Sequence, residues 1–379
     1  MNEIYFDNAA TTRVDADVVT LMAQVMREDY GNPSSLHTRG VQAQLLVERA
    51  QKQLLSALGA KSGQVLFTSG GTEANNLALF GGADAKKRRG KRIVTTSVEH
   101  SSVLAAAQEL ARRGFELIEI APGADGRVSI DALLDACNED TILVSMMLVN
   151  NEVGAMQPVA EVAKKLRVKA PNALLHTDAV QAFGKIPFSV AALGVDMLTL
   201  SGHKIHAPKG VGALYIADRV RITPLLFGGS QQRGLRPGTE SVPMVAALGL
   251  AAQNAAGRLQ ENRVRAQQTR DALISGLSAL TNVVINSPDE NCSPFLLNCS
   301  ATGYRSETLL HFLAAHGIYV SSGSACSKGA KSHVLAAMGK SAREIDSALR
   351  ISLSEYNTPQ EAERFCAVLT LAMQSLRQV

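Results

Sequence analysis

Short apolar runs, each followed by a longer stretch of helical periodicity, set the plan of the chain. Runs at 4–6, 65–68, 93–96, 142–148, 174–177 and 197–200 have the length and Gly/Pro/Ser punctuation of buried strands. Helical patterns fall at 16–26 and 41–58 and directly after 69–72 and 97–102. In the 41–58 stretch, Leu45, Leu46, Leu54, Leu55 and Leu58 are expected to form the core face. Strand and helix in alternation predict an α/β chain with a mostly parallel sheet and one common edge where the strands end. A polar, glycine-rich loop at 228–240 interrupts this pattern, and a long helix rich in Ala, Gln and Arg runs from about 245 to beyond 265. Strands at 283–286, 295–298 and 318–320 and helices at 306–316 and 359–376 then predict a second, smaller unit, with the long helix as the link.

The residues at the strand ends carry the candidate chemistry. The run 197–200 stops at Ser201-Gly202-His203-Lys204, and Gly and Pro break the chain soon after. A lysine there reads either as a surface cation or as an amine held for imine chemistry. The run 65–68 is followed by Ser69-Gly70-Gly71-Thr72 at the start of a helix. That arrangement turns backbone N–H groups towards an anion, although a glycine turn with a threonine cap has the same pattern. His100 follows 93–96 and reads as a stacking ring or as a structural histidine. Asp178 ends 174–177, with Gln181 close behind; it reads as a partner for a protonated ring nitrogen or as a helix cap. Asn8 and Ala9, in the small-residue segment after 4–6, read as room for substrate or as a turn.

Composition narrows the field. With 379 residues, 46% of them hydrophobic, the chain can fill one large core and a second, smaller one. A net charge of +4 with no tryptophan and no long basic stripe argues against nucleic acid as the main ligand, and the cluster at 86–92 reads as a solvated loop. The first residues lack the charge-then-apolar plan of a signal peptide, and no apolar run is long enough to span a membrane. Five cysteines, odd in number and without Cys-x-x-Cys spacing, argue against a disulfide framework or zinc site and for a reducing cytoplasm. His203 and His206 lack a third ligand nearby, so no metal site is expected. Cys137 and Cys366 sit on apolar helix faces and read as core, whereas Cys326 is flanked by serines and glycines and reads as reactive.

Taken together, Gly71-Thr72, His100, Asn151, Asp178, Gln181 and Ser201-Gly202-His203-Lys204, in that order, resemble the cysteine desulfurases of the class V aminotransferase group. The match runs from Asp7-Asn8-Ala9-Ala10-Thr11-Thr12 through Ser321-Ser322-Gly323-Ser324-Ala325-Cys326 to Leu349-Arg350-Ile351-Ser352-Leu353. The resemblance implies the fold-type I architecture of pyridoxal phosphate (PLP) enzymes. A large PLP-binding domain over 12–256 would hold a mostly parallel, seven-stranded-type sheet; residues 1–11 and 257–379 would form a small α+β domain carrying the cysteine loop. By the same resemblance Lys204 carries PLP as a Schiff base, Asp178 pairs with the pyridinium nitrogen, and His100 stacks on the ring and moves protons. Gln181 bonds the ring hydroxyl, while Gly71, Thr72, Ser201 and His203 hold the phosphate, joined by Thr239 from the neighbouring subunit of a homodimer. Asn8, Ala9, Asn151 and Arg350 bind L-cysteine, with Asn151 also touching the cofactor. Cys326 takes the substrate sulfur as a persulfide, leaving L-alanine, and passes it to an acceptor protein.

The sequence departs from the family pattern at Leu148, Ala207 and Ser241, where histidine, glycine and asparagine are usual. The segment after Cys326 is also shortened, which bears on the acceptor more than on the chemistry. A selenocysteine lyase of the same group and a non-catalytic sulfur-transfer scaffold are the competing readings. Iron–sulfur assembly and tRNA or cofactor thiolation both remain open as destinations of the sulfur.

Overall fold

The computed structural model describes residues 3–322 and 331–378. Its strands are β1 (Ile4–Tyr5), β2 (Gln64–Thr68), β3 (Arg92–Thr96), β4 (Glu116–Ile120), β5 (Thr141–Ser145), β6 (Leu174–Asp178), β7 (Met197–Ser201), β8 (Gly212–Ile216), β9 (Val283–Ile285), β10 (Leu296–Ala301), β11 (Ile318–Tyr319) and β12 (Ala348–Ser352). Seven of them form one sheet in the order β2-β8-β7-β6-β5-β3-β4, and within it only β8 pairs antiparallel, with β2 and β7. The parallel strands therefore end on one edge, as the alternation of elements predicts.

The central strands are apolar throughout because helices cover both faces of the sheet. Neighbouring residues on each strand divide between two cores. Val94, Val144, Leu175 and Leu198 pack into one, under the helices Thr38–Ala57 and Val242–Ser278. Ile93, Leu143, Leu174 and Met197 pack into the other, under Gly71–Lys86 and Ser101–Arg112. In Thr38–Ala57 the buried face is Gly40, Ala43, Val47, Ala50 and Leu54, while Leu45 is 57% exposed. Of the expected leucine face, Leu54 and Leu58 are buried and Leu46 and Leu55 pack against the same core, so only Leu45 is corrected: it is left outside, and small residues let the helix sit close to Val242–Ser278.

A third core joins the chain ends. Ile4 and Phe6 pack with Leu273 and Leu277 from the far end of the long helix, with β10 and β12, and with the helices Ser306–Ala315 and Pro359–Ser375. Residues Val245 to Ala252 of the same long helix belong to the first core, so one helix of 37 residues serves both. Three strands had no clear signal in the sequence. β4 lies at the sheet edge with polar Glu116 and Glu119 exposed, β8 is hidden by the Gly and Pro before it, and β12 is interrupted by Arg350. Among the described residues no helix is long and apolar enough to cross a membrane.

The N-terminal segment is tied to β12 by Asp7 bridging to Ser352. The fully buried Ser352 accepts from the Ala9 N–H at 2.8 Å through its hydroxyl oxygen and donates to the Phe6 carbonyl at 3.2 Å. Ser352→Ala leaves the buried Ala9 N–H without that acceptor. It is expected to lower unfolding stability by about 1–3 kcal/mol, as read from urea denaturation.

Candidate active site

At the carboxyl edge of the sheet lies a cavity of ≈ 410 Å³. Gly71, Thr72, His100, Asn151, Asp178, Gln181, Ser201, His203, Lys204, Ala9 and Arg350 all line it. Residues far apart in the chain meet here because each follows a strand that stops at this edge, or comes from the N-terminal segment and β12 laid across it. The N-terminus of Gly71–Lys86 faces the cavity, and no side chain caps it. The amides of a first helical turn lack acceptors within the helix, so this end offers donors to an anion. A Cβ on Gly71 would stand 3.1 Å from Val180 Cγ2 and 3.5 Å from Ser201 Cβ, so glycine keeps the cradle narrow but clear.

Asp178 is buried, and both its oxygens accept: Oδ1 from the Val180 N–H at 2.9 Å, Oδ2 from Asn75 Nδ2 at 2.8 Å. Asn75 also donates to the Ser102 hydroxyl oxygen at 2.8 Å, and that hydroxyl lies 2.8 Å from His100 Nδ1. The Ser102 backbone N–H donates to the same nitrogen at 3.2 Å. With Nδ1 accepting, the proton of a neutral His100 ring sits on Nε2. Asn75 and Ser102 were not singled out by the sequence reading, although both line the cavity and join Asp178 to His100. The available signal was a polar residue four places after Gly71 on an otherwise apolar helix face.

Lys204 Nζ donates to the carbonyls of Ala9 at 2.5 Å and Ala10 at 2.8 Å. Gln181 Nε2 donates to the Ala9 carbonyl as well, at 3.0 Å. Burial, then the neighbouring Lys204, pushes His203 down to about 4, so this imidazole is neutral near pH 7. Arg350, 4% exposed, donates to Asp7 Oδ1 at 3.0 Å and to the Asn151 carbonyl at 3.2 Å. Its Nε is buried without a partner among the described residues, as is Asn151 Oδ1. A buried guanidinium with an unused N–H is suited to a carboxylate ligand.

Two expected site residues lie apart from this cavity. Asn8 spends its side-chain amide on the Tyr5 and Ser352 carbonyls and on Asn357 Oδ1, holding the N-terminal segment to the third core. Thr239 lines a separate ≈ 100 Å³ cavity with Phe67, Ser69 and Arg236. Cys326 lies outside the described residues. Of the three departures, Leu148 and Ala207 are buried in the first core and Ser241 precedes the helix Val242–Ser278.

The family model for class-V aminotransferases matches residues 4–365. The chain belongs to the cysteine desulfurase group of the class-V aminotransferase family. It is 41% identical to "Cysteine desulfurase 2" of Trichormus variabilis, over 100% of this chain and 95% of that one. It is 40% identical to "Cysteine desulfurase IscS" of Methanosarcina thermophila, over 99% and 93%. A solved structure described as a NifS-like protein superimposes with a TM-score of 0.94 at 40% identity, covering 99% of this chain and 100% of that one.

PLP is the cofactor of this family. The residues present fit it: an uncapped helix N-terminus and hydroxyls suit its phosphate, a buried carboxylate its ring nitrogen, and an amine its aldehyde. Below the cavity Glu99 is fully buried; its Oε1 accepts from the Thr96 hydroxyl at 2.7 Å and the Met147 N–H at 2.9 Å. Burial pushes its carboxyl up to about 8, so the folded protein keeps a proton that the unfolded chain has lost. The contribution of Glu99 to stability therefore falls as pH rises from about 4.5 to about 8, and the deficit persists above that. Glu99→Gln keeps a carbonyl acceptor without the titration. Its stability relative to the parent, followed by urea unfolding across that window, is expected to increase with pH.

Proposed function

We propose that the chain is a PLP-dependent cysteine desulfurase that converts L-cysteine to L-alanine and holds the sulfur as a persulfide on Cys326. The observation that carries this reading is the meeting of Lys204, Asp178 and His100 in one cavity, in a chain related over its full length to cysteine desulfurases. When bound, PLP supplies an electron sink for the bonds around the substrate α-carbon. Lys204 would hold it covalently and, once displaced by the substrate amine, take the α-proton. Asp178, fixed by Asn75, would pair with the ring nitrogen, and Gln181 would bond the ring hydroxyl. Gly71, Thr72, Ser201 and His203 would bind the phosphate, His203 as a neutral donor. His100 would stack on the ring and offer its Nε2 proton, and Arg350, with Ala9 and Asn151 beside it, would grip the substrate carboxylate. The Cys326 thiolate would then attack the substrate sulfur: the S–S bond forms as the substrate Cβ–S bond breaks, the persulfide stays on Cys326, and the carbon side keeps the electron pair of the broken bond and is protonated to alanine.

Exposed Leu36, Phe227 and Tyr30, at 98%, 87% and 69%, together with Thr239 lying outside the cavity, favour a homodimer in which Thr239 completes the partner's phosphate site. The third core supports a division into 12–256 and 1–11 with 257–379. Cys137, Cys292, Cys299 and Cys366 are free thiols, in keeping with a reducing cytoplasm. Relatives named "Cysteine desulfurase IscS" favour a sulfur-acceptor protein of iron–sulfur assembly, with tRNA or cofactor thiolation as the other destination.

Lys204→Ala is expected to abolish the visible PLP band. Cys326→Ser should keep that band and lose at least about 100-fold in alanine release from L-cysteine, because serine offers no thiolate. Full turnover in Cys326→Ser would remove the cysteine from the mechanism. Selenocysteine as the preferred substrate would move the assignment to a lyase, and purified protein unable to bind PLP would leave a scaffold.

A further inference from the structure

One buried cation in the structure has no part in the scheme above. Lys185 is 6% exposed and sits one helical turn after Gln181, in the turns that follow β6. Its Nζ donates to Gln181 Oε1 at 3.2 Å. Lys185 and Lys204 share the wall of a ≈ 20 Å³ cavity with His206 and Glu355. Burying an ammonium is costly, and a methylene chain with an apolar end would fill the same space without that cost. Burial, then the proximity of Lys204, pushes Lys185 down to about 7; Glu355 opposes that shift and Arg350 adds to it.

We propose that Lys185 is a positioning residue that locks the side-chain amide of Gln181 for the cofactor. A carboxamide can be turned over at little cost unless its neighbours distinguish oxygen from nitrogen. Here both ends are specified. While Lys185 carries its proton, the ammonium can only donate and requires Oε1 on its side; the Ala9 carbonyl can only accept, so it requires Nε2 on the other. One Nε2 hydrogen is spent on Ala9, and the second remains for the cavity that Gln181 lines. The same Ala9 carbonyl accepts from Lys204, so the amide is referenced to the amine that carries PLP. Without Lys185 only the Ala9 carbonyl still orders the amide, so its oxygen end is unheld and its donor to the ring oxygen is less well aimed. This proposal rests on the PLP reading above.

The test is a spectroscopic pH titration of the PLP-loaded protein without substrate, together with PLP affinity. A hydrogen bond to the ring oxygen stabilises its anionic form, so losing the bond makes the oxygen and the imine nitrogen beside it hold their shared proton more tightly. Lys185→Met is therefore expected to raise the pH midpoint of the visible band by roughly one unit and to weaken PLP binding several-fold. Lys185→Arg retains a donor-only cation and should stay close to the parent. In a Gln181→Ala background, Lys185→Met should produce no further shift, because the residue through which it acts is gone. An unchanged midpoint and affinity in Lys185→Met overturn the proposal. So does an equal shift with and without Gln181, which would assign the effect to charge alone. Should Lys185→Met fail to take up PLP, Lys185→Arg decides: a parent-like midpoint supports the lock and a shifted one overturns it. Failure of the PLP reading itself looks different, since the parent protein would then show no band that Lys204→Ala removes.

Discussion

The carbonyl of Ala9 is the point on which the site depends. Lys204 and Gln181 both donate to it, and its own residue's N–H is held by Ser352 of β12. A short segment at the start of the chain thus fixes two side chains from the large sheet against a strand of the third core. Neither core alone completes the cavity. Arg350, two residues before Ser352 on β12, reaches Asp7 and the carbonyl of Asn151 across the same junction. Arg350, Lys204 and Gln181 are therefore all held through the same short N-terminal segment or the junction beside it. Loosening the N-terminal segment should disturb all of them together.

The second constraint is electrostatic. Groups around the cavity are buried, and burial favours their neutral forms: Glu99 is pushed up to about 8, and His203 down to about 4. Asp178 escapes isolation because Asn75 and the Val180 N–H pair with its oxygens. The path from Asp178 through Asn75 and Ser102 to His100 also decides which nitrogen of the imidazole carries the proton.

Much of this was legible in the sequence, for a physical reason. A buried parallel strand is a short apolar run, and the polar residues that end it stand out, so Lys204, Asp178, His100 and Gly71-Thr72 could be found by position. The class-V resemblance then assigned roles that position alone left open. What stayed hidden lacked that contrast. Glu116 and Glu119 break up the edge strand β4, and Arg350 interrupts β12. Leu45 had the core-like spacing of Leu54 and Leu58, yet it alone of the expected leucines is exposed, while Gly40, Ala43 and Ala50 are buried on the same helix. Asn75 and Lys185 act through other side chains, and no spacing rule reports a partner brought near by folding. Asn8 matched the motif, but its amide is committed to the backbone of the third core.

The central claim is that Lys204, and no other amine, carries the cofactor. Lys185 is the informative competitor: burial lowers its proton affinity and leaves it partly as a free amine near pH 7, but it faces a cavity of only ≈ 20 Å³. Borohydride reduction of the PLP-loaded protein, followed by proteolysis and mass spectrometry, reads the attachment site directly. The account predicts the pyridoxyl group on the peptide containing Lys204 alone. Finding it on Lys185, or spread over several lysines, would contradict the account.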